Sequence, residues 1–179
     1  MSATKKIWTI GHSTRNIENF IEMLKSFSIK TLVDVRSLPG SNKFPQFNQE
    51  ELKKSLADVN IQYKYMKLLG GRRKTSPDSK NKIWKNKSFR GYADYMETTA
   101  FKKALQELKK IALKENTAIM CAEAVWWRCH RSMIADALKA ESWKVFHIME
   151  VEKSTLHPYT KPAKIKNGHL FYGNAEEQN

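Results

Sequence analysis

A chain of 179 residues, 41% of them apolar, is long enough for one domain with its own core. Two cysteines outside any regular framework exclude a disulfide-stapled fold, and no run nears the roughly 18 apolar residues of a membrane-spanning helix. Lys and Arg number 32 against 18 Asp and Glu, giving a net charge of +14 and a pI near 9.8, so the surface attracts polyanions, nucleic acid among them.

Lysines spread over helix faces would give the same total in a lysine-rich proteome, so charge alone leaves a solvated surface as the alternative. The segment before Ile7-Trp8-Thr9-Ile10 is too short for the h-region of a secretory signal, and the expected setting is soluble and cytoplasmic.

Lys6 to Ile10 is β-prone, and the turn Gly11-His12-Ser13 after it puts His12 at the carboxyl end of a first strand. Ile17, Phe20, Ile21, Leu24 and Phe27 then recur at helical spacing, with Ser13, Thr14 or Asn16 available as N-cap. Thr31 to Val35 is a buried-strand run followed at once by Arg36, so the unit reads as βαβ. Pro39, Gly40 and Pro45 break both ladders and mark a loop. Asn48 with Glu51 resembles a capping box for a helix buried through Leu52, Leu56 and Val59.

Ile61 to Met66 alternates as a third strand and ends at Gly70-Gly71-Arg72-Arg73. A mobile basic loop is expected over 74–90, then one or two helical turns near Tyr92 and Tyr95, then an amphipathic helix from Phe101 to Ala112. Thr117 to Cys121 and Lys144 to Ile148 read as the fourth and fifth strands, with a helix over Ser132 to Glu141 between them. An extended C-terminal wrap is expected over 152–179, with fraying from Ala175. The whole, 1–179, reads as a single three-layer α/β domain with about five mainly parallel strands.

In such a sheet His12, Arg36, Gly70, Gly71 and Cys121 share the carboxyl edge, where α/β proteins place ligands. A helix opening at Cys129, His130, Arg131 and Ser132 aims its N-terminus there, which favours anions and thiolates. Arg36 and Arg131, with His12 and Ser132 beside them, suit an oxyanion such as phosphate, sulfate or carboxylate. Cys129, next to His130 and between two arginines, is where a thiol pKa falls and a nucleophile forms; a small buried residue sealing the loop is the alternative. Cys121 faces either core or site, and a Cys121–Cys129 redox pair awaits the loop geometry.

Glu123, close to Trp126 and Trp127, is the general-base candidate, its alternative an ion pair with Arg36 or Arg131. Trp126 and Trp127 would stack a base or plug the loop, and Tyr92 has the same two readings. His147 and His157 read as structural. Cys121, Glu123, Cys129, His130 and His12 are all metal-ligand types, zinc or iron by preference, but the Cys-x7-Cys-His spacing matches no standard zinc signature. No metal is therefore assigned, and no cofactor is named.

Taken together, Thr9-Ile10-Gly11-His12-Ser13, Asp34-Val35-Arg36 with Pro39 and Ser41, Tyr65 to Gly71, Gly91-Tyr92, Met120-Cys121-Ala122-Glu123, Cys129-His130-Arg131 and His157-Pro158-Tyr159-Thr160 resemble the DUF488 family. The match runs in order over nearly the whole chain, and Trp126-Trp127-Arg128 departs from the shorter or proline-containing stretch usual there. The resemblance implies a single α/β domain and marks motif positions without a reaction.

A fold-level analogy to rhodanese and cysteine-phosphatase domains rests on the strand-ending Cys121 and the Arg131-Ser132 helix opening, although those enzymes have a shorter loop. The leading expectation is an enzyme acting on a phosphorylated or nucleic-acid-derived substrate, with Glu123, Cys129 and His130 at the chemistry. One alternative is a non-catalytic nucleic-acid-binding module using the basic loop Lys74 to Arg90 and exposed aromatics, with Arg72, Arg73 and Lys74 as contacts. Another is sulfur-transfer or thiol chemistry through Cys129.

Overall fold

A computed structural model describes residues 4–40 and 42–173. Ser41 of the family pattern and the expected fraying from Ala175 lie outside the described residues.

Five strands run parallel: β1 (Lys6–Gly11), β2 (Thr31–Asp34), β3 (Gln62–Tyr65), β4 (Thr117–Cys121) and β5 (Lys144–Glu150). A sixth, β6 (Lys153–Leu156), adds antiparallel at the β5 edge, and the sheet order is β3-β2-β4-β1-β5-β6. The wrap expected over 152–179 contains regular strands within its described residues. It holds β6 and a separate hairpin, β7 (Ala163–Lys166) with β8 (His169–Tyr172). Asn167 and Gly168, at φ 52° and 76°, turn that hairpin, and Asn-Gly is the pair that tolerates two positive φ values in a two-residue loop.

Alternation along the strands builds the two cores. Trp8, Ile10, Leu32, Ala118 and Met120 face α1 (Ile17–Ser26) and α2 (Gln49–Ala57), through Phe20, Leu24, Leu52 and Leu56. Ile7, Val33, Ile119 and Cys121 face α3 (Lys87–Met96), α4 (Thr99–Lys114) and α5 (Arg131–Ala140), through Tyr92, Phe101, Leu108 and Met133. Each fully buried side chain of this size contributes about 1.5–3 kcal/mol, so a slip of one residue would forfeit both faces. The result is helices, sheet and helices in three layers.

Helix starts follow side-chain caps. Asn16 Oδ1 accepts the Asn19 N–H at 2.7 Å, Asn86 Oδ1 accepts from Ser88 and Phe89, and Thr98 Oγ1 accepts from Phe101. Asn48 makes no cap bond to α2, so the capping box is not formed. The Asn86 cap also shortens the expected 74–90 loop, since α3 begins at Lys87. What remains of the loop is anchored: Asp94 receives bonds from Ser76 N–H, Ser79 Oγ and Asn81 Nδ2.

Sheet order places the site. β4 lies between β2 and β1, whose following helices pack on one face, while α5 after β4 packs on the other. Chain paths therefore part at the carboxyl end of β4 and leave a crevice there, the switch-point position for ligands in open α/β sheets. Cys121 ends β4 at that point, in register with Gly11.

Candidate functional site

A cleft of about 440 Å³ opens at this edge, lined among others by Arg36, Gly71, Arg72, Cys121, Arg128 and Cys129. At its floor the two sulfurs lie 2.7 Å apart, both buried and both free thiols. Arg131 is 1% exposed; its Nη1 donates to Cys121 Sγ at 3.2 Å and its Nη2 to the Ala124 carbonyl at 3.1 Å, while Nε is buried without an acceptor.

Burial pushes the Cys121 thiol up. The hydrogen bond from Cys129 and the Arg131 charge outweigh burial and bring it down to about 7. The expectation that Cys129 carries the lowered thiol is therefore corrected: burial and the neighbouring Cys121 raise it instead. Two thiols in contact cannot both ionise easily, and the guanidinium side chain reaches Cys121, whereas the Arg131 backbone N–H meets Cys129 Sγ at 3.5 Å.

His130 is half-buried and lines the cleft beside Cys129. Its Nε2–H donates to the Val35 carbonyl at 2.9 Å, which leaves Nδ1, 3.6 Å from Cys129 Sγ, as an acceptor. Burial holds this imidazole down at about 4. Gly71 packs against the ring, and a Cβ there would come within 2.5 Å of Nδ1.

The expected arginine fork takes another form. Arg36 already gives Nε and Nη2 to the two oxygens of Asp34, at 2.9 and 2.7 Å, and faces His12 Nε2 through Nη1 at 3.4 Å. His12 stacks on Phe47 at 4.4 Å and bonds the Ser13 carbonyl through Nδ1, so it positions Arg36; burial lowers its pKa. Ser132 is turned back to the Cys129 carbonyl at 2.8 Å, as a helix-start bond and not a ligand group. Exposed cations at the cleft are Arg72 and Arg128.

The Glu123 side chain is exposed and lines the same cleft, and its backbone carbonyl crosses over Gly11. Tyr92 is fully buried, bonded to the Leu69 carbonyl and edge-on to His130. Gly70 packs against Ser37. Arg73 lies over the Tyr95 ring at 3.6 Å and bonds the Gly70 and Lys67 carbonyls, while Lys74 lines a different pocket.

Trp126 lies flat on His147 at 4.4 Å and plugs the loop; Trp127 is exposed. Beneath it the Thr9 hydroxyl bonds His147 Nδ1, His147 Nε2 bonds His157 Nδ1, and His157 Nε2 bonds Asp136. Asp136 also accepts from Thr160 and Tyr172. Asp136 escaped the sequence reading. Its signal was a carboxylate set among the apolar residues of α5, where a buried charge must find partners.

No cluster of three or more His, Cys, Asp or Glu suited to a metal ion occurs among the described residues, and no helix among them is long and apolar enough to cross a membrane. Neither a curated protein nor a solved structure matches the chain. The family model described as "Domain of unknown function DUF488" matches residues 16–138, more than half of the sequence and the span that includes both cysteines, His130 and Arg131. The chain belongs to the DUF488 family.

Proposed function

We propose that the protein is an enzyme whose reactive atom is the sulfur of Cys121, attacking an electrophile carried by an anionic small molecule or nucleic-acid-derived compound. One contact carries the proposal: the Arg131 guanidinium on Cys121 Sγ at 3.2 Å, in a cleft at the switch point of the sheet. A cation fixed beside a sulfur favours thiolate over thiol, and the thiolate is the nucleophile. Arg72 and Arg128 supply positive charge at the cleft for the substrate's anion. A reducing cytoplasm would keep both sulfurs available.

Peptide-mapped alkylation across pH tests this. Cys121 should half-titrate near pH 7, against about 8.5 for a free thiol. Iodoacetate should gain on iodoacetamide relative to a free thiol, and Arg72→Gln with Arg128→Gln should remove that gain. Ordinary titration of Cys121, combined with polyanion binding that survives Cys121→Ser, falls with Arg72→Gln and Lys74→Gln and drops steeply with salt, would assign a non-catalytic nucleic-acid-binding module instead.

A further inference from the structure

We infer that Cys121 and Cys129 form a dithiol pair that reduces a sulfur–sulfur bond in the substrate, Cys129 resolving the mixed disulfide made on Cys121. The inference rests on the assignment of Cys121 above and adds the class of bond attacked and a second reacting atom.

The two sulfurs belong to different elements, the end of β4 and the residue preceding the α5 cap, yet they touch within the same cleft. Eight positions of sequence separate them, and the loop between is pinned at two points. Nη2 of Arg131 holds the Ala124 carbonyl, and Trp126 is stacked on His147. Closing a bond between them therefore requires side-chain adjustment and no unfolding of the loop.

The surrounding groups are divided as a resolving step requires. Arg131 reaches Cys121 through its side chain and Cys129 through its backbone N–H, so stabilisation is at hand for whichever sulfur is charged. His130 Nδ1 stands beside Cys129, with its other nitrogen committed to Val35. While Cys121 is a thiolate, Cys129 keeps its proton and can share it with that sulfur. Once Cys121 is capped its negative charge is gone, and the barrier to ionising Cys129 falls with it.

The steps balance as follows. Cys121 thiolate attacks one sulfur of a disulfide-type bond, that bond breaks, and the distal half leaves as a thiolate. Cys129 passes its proton by way of His130 Nδ1 to solvent or the departing group and attacks the Cys121 sulfur. The Cys121–Cys129 bond forms, and the second half of the substrate leaves as a thiolate that takes up a proton. Two electrons have passed to the substrate. A low-molecular-weight thiol, two molecules per cycle, restores the pair and leaves as its own disulfide.

Reduced protein treated with dithiobis(nitrobenzoate), an anionic aromatic disulfide, tests this by released colour, intact mass and peptide mapping. Expected are two thiolates per chain, no retained adduct, a mass lower by two hydrogens and a Cys121–Cys129 cross-link. Cys129→Ser should release one thiolate and keep one adduct on Cys121. Acid quenching of the unaltered protein at short times gives the same information without a variant, because the Cys121 adduct should precede the cross-link. A lasting Cys121 adduct beside a free Cys129 thiol, or an adduct on each cysteine, overturns the resolving role and leaves Cys121 as the nucleophile. Failure of Cys121 to react near pH 7 overturns both proposals.

Discussion

Arg36 and Arg131 are both buried arginines at the carboxyl edge of one sheet, and they are neutralised differently. Arg36 is closed by Asp34, a carboxylate with no exposed surface, through two side-chain bonds, and the Arg36 backbone N–H adds a third. Arg131 meets a sulfur and a carbonyl, and one of its nitrogens has no acceptor. Both Asp34 oxygens are bonded to the Arg36 guanidinium, so the first pair is structural. A thiol can gain or lose its proton, so the second site has a charge that chemistry can use. The same contrast recurs across the loop that joins the cysteines. His147, His157 and Asp136 form a chain of bonds sealed under Trp126, whereas the sulfurs open on a cleft.

The largest effect should come from unbalancing the closed pair. Arg36→Met strands the Asp34 charge in the core and should cost about 3–5 kcal/mol in urea unfolding. Arg131→Met leaves a thiol free to take a proton, so it should stay within the about 0.5–3 kcal/mol of ordinary substitutions while moving Cys121 titration up to about 8.5 or beyond. Equal losses of stability, with Cys121 still titrating near 7, would break the comparison.

Gly11→Ala should cost about 1–3 kcal/mol, because the new Cβ would lie 1.9 Å from the Glu123 carbonyl and 2.7 Å from Arg131 Nη1. Since that nitrogen must retreat from Cys121, alkylation of the variant at pH 7 should slow as well. Destabilisation with unchanged Cys121 reactivity would separate Arg131 from the thiolate.

Acid should act on the sealed network. Burial first, then the neighbouring His157 and Arg131, lower His147 to about 2, against about 6.5 unfolded. The unfolded chain thus binds the proton first. The stability of neutral His147 is complete above pH 6.5 and is lost as pH falls towards 2, at up to about 1.4 kcal/mol per unit. His147→Gln should flatten the urea midpoint between pH 7 and 5; a slope unchanged by the variant would place the acid sensitivity elsewhere.

Much of this was legible in the chain. Short apolar runs, and alternation in β3, marked five parallel strands, period-3.6 runs marked α1, α4 and α5, and the loop breakers put His12, Arg36 and Cys121 at one edge. The hairpin at Asn167-Gly168 was also written in turn chemistry, although the proline-rich tail masked it. Other assignments needed distances. Nothing local says that Arg36 spends its fork two residues back on Asp34, or that Glu123 faces solvent.

Composition, periodicity and residue types by themselves determined the class of fold, the edge that carries the site and which side chains are available there, because each depends on neighbours within a few residues. Which cysteine meets the Arg131 side chain was decided only by tertiary structure. Both thiols sit near arginines in sequence, but a thiol pKa depends on ångström distances to charge and on burial, and only the packing of α5 against β4 sets the Arg131 side chain on Cys121 and leaves His130 to Cys129.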